Sequence, residues 1–191
     1  MSEIRDFTTV KLESTELKSD LDVLAFKAVR FRDGKPVDRF IRYVRYEGDI
    51  SRRVYLNTGI SYEILEEQGV DESQAYKEFF NFIGDDIIVT NNMAFYRAFI
   101  NKHNAKSKKS GTEGQDDREK YFFDDSHKKI STQWLAQSLI LGVKDFEIDT
   151  LLEYFQLDYQ KEDPLGQVRG IGSLLLKLEE AMKEQGKTLK I

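Results

Sequence analysis

The run Phe7-Thr8-Thr9-Val10-Lys11-Leu12-Glu13 carries three β-branched residues in succession and reads as a strand. Lys11 and Glu13 stand two residues apart on it and therefore share one face. Outward from this run, Val23–Phe31 has bulky residues and Lys27 at alternate positions, Asp33-Gly34-Lys35-Pro36 has tight-turn composition, and Val37–Val44 resumes an extended pattern. The second and third strands are thus expected to form an antiparallel hairpin.

Beyond the hairpin the period changes. Thr58-Gly59-Ile60-Ser61 forms a turn in which Ser61 can cap a short helix, and Asp71 with Gln74 has capping-box spacing. A helix is predicted from about Asp71 to Ile83, ended by Gly84. Ile87-Ile88-Val89 is short and β-branched enough for a buried central strand, and Met93–Ile100 returns to helical spacing. Asn101–Lys129 is rich in Lys, Ser, Gly, Asp and Glu, which predicts a flexible polar insertion at about 104–126. Helices are expected over Ile130–Leu141, Phe146–Phe155 and Leu165 to about Gln185. There are no internal repeats.

A chain of 191 residues, 40% hydrophobic, is long enough for one core and short for two, so residues 1–191 are expected to form a single domain. The net charge of −5 gives no general attraction to phosphate; contact with nucleic acid would need a local basic patch. The lack of cysteine excludes disulfides, thiolate metal sites and cysteine nucleophiles, and fits a reducing compartment. Met1–Asp6 has no basic and apolar leader, and no stretch nears the roughly 18 apolar residues of a membrane span. The expectation is a soluble cytoplasmic protein with no membrane contact; nothing in the sequence sets an oligomeric state. No Gly-rich phosphate loop, nucleophile elbow or zinc spacing is present.

Several segments together resemble the DnaQ-like 3′→5′ exonuclease superfamily, which includes the epsilon proofreading subunit of DNA polymerase III and the exonuclease domain of PolC-type polymerases. Phe7–Leu17 is similar to its first motif, a strand ending in Asp-x-Glu followed by Thr-Gly-Leu, and Ala28–Phe40 to its second hairpin. Thr58-Gly59-Ile60-Ser61 resembles its Thr-Gly-Ile-Thr turn. Phe79–Ile100 resembles its second motif, and Asp149-Thr150-Leu151 with Tyr154 its Asp-Thr-Leu helix. The resemblance implies an α/β, ribonuclease H-like fold: a mixed five-stranded sheet, helices on both faces, and Phe7–Glu13 central beside Ile87–Val89.

In such enzymes four carboxylates hold two divalent cations and a His or Tyr serves as general base. Carried over position by position, the resemblance leaves Glu13 as the single candidate catalytic acid. Lys11, Tyr96 and Gln167 stand at the other three carboxylates and Glu162 at the general base; a shifted third-motif register offers Gly170 or Gly172. Glu16 stands where the family has Gly. An ammonium at Lys11 would oppose a cation ~4 Å away by several kcal/mol even at an effective dielectric near 20, and Lys11 is instead expected to pair with Glu13. No metal and no cofactor is therefore expected; Mg²⁺ or Mn²⁺ enters only with an active enzyme. The resemblance sets Thr15, Leu17, Asn91, Asn92 and Phe95 against a bound nucleotide.

Plainer readings compete at several positions. Asn91-Asn92 after a buried strand suits a turn and helix cap, Tyr96 a plug in a former site, and Lys102–Lys109, with acids close behind, a solvated loop. His103 and His127 read as loop residues, and Phe79, Phe80, Phe82 and Trp134 as core. Two functions follow. One is a catalytically degenerate exonuclease-like domain binding a nucleic-acid end or a replication or repair protein; the other is an active metal-dependent 3′→5′ exonuclease acting on DNA or RNA ends.

Overall fold

The computed structural model describes residues 3–15, 22–109 and 127–189. The chain runs β1 (Phe7–Ser14), β2 (Val23–Arg32), β3 (Lys35–Tyr43), α1 (Arg52–Thr58), α2 (Tyr62–Gln68), α3 (Glu72–Ile83), β4 (Ile88–Thr90), α4 (Met93–Lys109), β5 (Lys129–Ser131), α5 (Thr132–Leu139), α6 (Ile148–Tyr154) and α7 (Gly166–Glu184). The five strands form one mixed sheet in the order β3-β2-β1-β4-β5. β1 is central, antiparallel to β2 and parallel to β4, as its β-branched sequence predicts.

The hairpin turn is tighter than its composition suggests. Arg32 pairs with Lys35, and the two residues between them, Asp33 and Gly34, both take positive φ, at 51° and 71°. This is the geometry for which Asp-Gly is favoured. Pro36 then falls inside β3, where the missing N–H is tolerated because β3 is an edge strand.

Each face of the sheet buries its own core. Phe7, Val29, Phe31, Val89 and Ile130 pack against α5, α6 and α7, whereas Val10, Leu12, Phe26, Ala28 and Ile88 pack against α3 and α4. Val54, Ile60 and Leu65, from α1, α2 and the turn between them, cover Leu24 and Ala25 of β2. α2 is capped as expected, with the Ser61 hydroxyl accepting from the Ile64 N–H. Asp71 precedes α3 but its side chain makes no capping bond, and Gly84 ends that helix with φ at 58°.

Four expectations need correction or extension. Ile130 lies in β5, pairing with Val89, because a three-residue strand is invisible inside an apolar helical pattern until β4 offers it a partner. Ser131 ends that strand and caps α5, accepting from the Trp134 N–H. Trp134 is half exposed: α5 buries Thr132 and Ala136, and Trp134 points about 200° around the helix from Thr132. α4 extends through Lys109, so the predicted polar insertion begins inside a helix of Lys, Ala and Asn. Residues 110–126, most of that insertion, lie outside the described residues, as do the His103 side chain and Glu16 and Leu17. His127 has a fixed partner, its Nε2 lying 2.8 Å from the Gly84 carbonyl oxygen.

Candidate functional site

A cleft of about 1010 Å³ opens where the C-terminal ends of β1 and β4 meet α1, the N-terminus of α4 and the Tyr159–Gln167 segment. Lys11, Glu13, Tyr96 and Gln167, scattered over more than 150 residues of sequence, all line it, and so do Thr15, Asn91, Asn92, Phe95 and Glu162. The sheet register adds a residue that sequence reading left in the strand pattern, Lys27. Lys11 and Lys27 face each other across β1 and β2. Like charges directly opposite are destabilising, and Glu13 resolves the conflict. Its Oε1 accepts from Lys11 Nζ at 2.6 Å and from Lys27 Nζ at 2.9 Å.

The three side chains differ in exposure. Those of Lys27 and Glu13 are 4% and 8% exposed, whereas Lys11 keeps 25%. Burial alone would push the Glu13 carboxyl up, but the two ammoniums beside it outweigh burial and hold it below the usual carboxylate range. Burial pulls the Lys27 ammonium down, against the opposing charge of Glu13. Burial, then the Glu13 charge, raises the Tyr43 hydroxyl across the cleft.

A depressed folded-state carboxyl stabilises the fold above its unfolded value, and that stabilisation is lost as pH falls through the folded one. Wild type is therefore expected to lose stability below pH 4.5, the ordinary value, more steeply than Glu13→Gln. Urea midpoints of the two proteins between neutral and acid pH test this; parallel acid limbs would refute it.

Another carboxylate at the cleft, Asp149, is also engaged. Its Oδ1 accepts from Tyr159 OH at 2.5 Å and from Gln167 Nε2 at 2.7 Å. The sequence offered Asp149 only as part of a helix motif, and Tyr159 carried no signal at all. Glu162 is exposed, and its neighbour Asp163 pairs with Arg169. Tyr96 is fully buried among Phe26, Phe79 and Phe99 of the α3/α4 core, and burial raises its hydroxyl well above the usual range.

The two asparagines serve the backbone. Asn91 donates from Nδ2 to the Phe146 carbonyl at 3.1 Å and accepts from the Thr132 hydroxyl at 2.9 Å, joining β4 to the start of α5. Asn92 caps α4, its Oδ1 accepting from the Phe95 N–H at 2.9 Å. Thr15 closes the end of β1, its N–H bonded to the Asp22 carbonyl at 3.0 Å. Phe95 is left with a partly exposed ring at the cleft.

As a cation site the cleft is poorly furnished. Hard divalent cations take several oxygen ligands, and among the described residues no group of three or more His, Asp or Glu side chains converges. Lining the cleft are four basic and five acidic side chains.

No family model matches the chain. It aligns over 95% of its length, at 29% identity, with the PolC-type DNA polymerase III of Thermotoga petrophila, and over 94%, at 24% identity, with that of Bacillus subtilis. The chain is thus similar in sequence to a segment of PolC-type DNA polymerase III. It spans about 12% of the length of those polymerases. Among solved structures, the nuclease domain of 3′hExo, a DEDDh family member bound to rAMP, superposes with a TM-score of 0.72 over 100% of this chain and 98% of that one, at 16% identity. Exonuclease X in complex with 5′ overhanging duplex DNA gives 0.58 over 95% and 94%, at 17% identity. The chain thus has the expected ribonuclease H-like fold. Among its described residues no helix is long and apolar enough to cross a membrane.

Proposed function

We propose that this chain is a catalytically silent exonuclease-like domain whose cleft holds a nucleic-acid end without hydrolysing it. The reading rests on one observation: the carboxylate of Glu13 is shared by the ammoniums of Lys11 and Lys27 at 2.6 and 2.9 Å. Two fixed positive charges on that oxygen repel a third and satisfy the acid that would otherwise bind it. Asp149 has one of its two oxygens, Oδ1, already taken by Tyr159 and Gln167, which leaves it a poorer ligand than a free carboxylate. Metal-assisted hydrolysis needs cations to activate water and to neutralise the phosphate. The donor set does not fit that chemistry, and no catalytic step is assigned to it.

The test is digestion of an end-labelled single strand with Mg²⁺ or Mn²⁺ by wild type and by Glu13→Gln. Neither protein is expected to shorten the strand. Digestion by wild type that Glu13→Gln abolishes would replace this reading with an active metal-dependent 3′→5′ exonuclease. If the domain is silent and binds no strand, its cleft serves a protein partner instead.

A further inference from the structure

The Lys11–Glu13–Lys27 cluster carries two positive charges and one negative, so it leaves one net positive charge at the floor of the cleft. An ammonium has three N–H donors. Lys11 spends one on Glu13 at 2.6 Å, and its side chain is a quarter exposed on the cleft side. Lys27, at 4% exposure, is fixed behind it and cannot follow a ligand out to solvent. The cluster thus offers a pre-positioned cation with unused donors, held by a buried partner that keeps it from swinging away.

The surroundings limit what can bind. The same cleft is partly apolar, with Leu56 68% exposed on α1 and Phe95 partly exposed. Apart from the cluster itself, the cleft is lined by four acids (Glu147, Asp149, Glu162 and Asp163) and two bases (Arg53 and Lys161). A long polyanion tracking through the cleft would run along those acids, whereas a ligand with one anionic group and an apolar body has a single charge to place, at the lysines.

We propose that Lys11, backed by Lys27, is a metal-independent receptor for a single phosphate group carried by a nucleotide or a strand end. In this cleft the built-in ammoniums supply the charge that divalent cations would otherwise bring. The inference rests on the silent-domain reading above and adds to it the ligand chemistry and the residue that contacts it.

The test is titration of the intact protein in excess EDTA with inorganic phosphate, thymidine 5′-monophosphate and a short oligothymidylate, read by calorimetry. Binding is expected without metal and is not strengthened by Mg²⁺. Lys11→Met is expected to weaken it about tenfold or more, since a hydrogen bond to a charged group is lost, and Lys11→Arg to retain it. For the oligonucleotide, log K should fall against log salt with a slope of about −0.7, the value for one phosphate contact on a single strand. Preference among the three probes identifies the source of the phosphate. Unchanged affinity in a folded Lys11→Met, a requirement for Mg²⁺, or no binding of any probe would each overturn the proposal. Should Lys11→Met not fold, Lys11→Gln and the wild-type salt slope decide in the same way. Nuclease activity is scored separately: a silent protein that binds no phosphate overturns this proposal alone, and a Glu13-dependent nuclease overturns the reading beneath it.

Discussion

Replacing Gly172 by Leu is expected to destabilise the protein by about 3 kcal/mol, the upper end of the usual range for overpacked cores. Gly172 lies on the buried side of α7, where even an added Cβ would come within 2.2 Å of Phe31 Cζ and 2.5 Å of its Cε2. The Phe31 ring cannot retreat, because it is stacked on Phe7 with centroids 4.8 Å apart and planes 11° from parallel. Both rings are buried where β1 and β2 meet α7. Gly170 provides the contrast. A Cβ there would meet the Leu152 Cδ1 methyl at 2.7 Å, the far end of a flexible side chain rather than a stacked ring, so Gly170→Ala is expected to cost less, about 1 kcal/mol. Alanine is the better helix former by up to about 1 kcal/mol, which offsets part of that clash. Urea unfolding of both variants measures the difference. Adding Phe31→Leu to Gly172→Leu should recover part of the loss through coupling between touching residues, and strict additivity would show that the ring is not what Gly172 accommodates.

What the sequence discloses of this architecture follows from how local each cause is. β1 is legible because Thr8, Thr9 and Val10 favour an extended backbone, and the hairpin because Asp33-Gly34 suits two successive positive φ values. β5 is not, because Lys129–Ser131 becomes a strand only through pairing with β4. α1 escapes for a related reason: of its seven residues only Val54 is buried, so it has no apolar stripe to read. The candidate site divides in the same way. The period-2 geometry of one strand brings Lys11 and Glu13 together, and their contact was predictable. Lys27 joins them through the β1–β2 register, yet a lysine in line with Val23, Ala25, Val29 and Phe31 on one face of the strand was a signal available in the sequence. Asp149, Tyr159 and Gln167 meet only because α6 and α7 pack side by side, and no spacing rule announces that.

Glu13→Leu is expected to cost about 3–5 kcal/mol, because it leaves the buried ammonium of Lys27 without its counter-charge and directly opposite Lys11. Lys11 can swing toward solvent, but Lys27 cannot. The double replacement Glu13→Leu with Lys27→Met should restore most of the loss, since two apolar side chains of similar volume then fill the same space. Chemical denaturation of both single variants and the double gives the coupling energy directly. pH supplies an independent check. With Glu13 gone, only desolvation and Lys11 act on Lys27, and both drive its folded-state value further below the ordinary 10.5. Between that lowered value and 10.5 the unfolded chain binds more protons than the folded one, so stability must rise with pH across the window. Glu13→Leu should therefore gain stability on moving from neutral to alkaline solution, relative to the double variant in which the titrating group is absent. A Glu13→Leu protein as stable as wild type, with no such alkaline gain, would mean that Lys27 is not held as a buried ammonium. The charge cluster that sets this cleft apart from a cation site would then be dissolved.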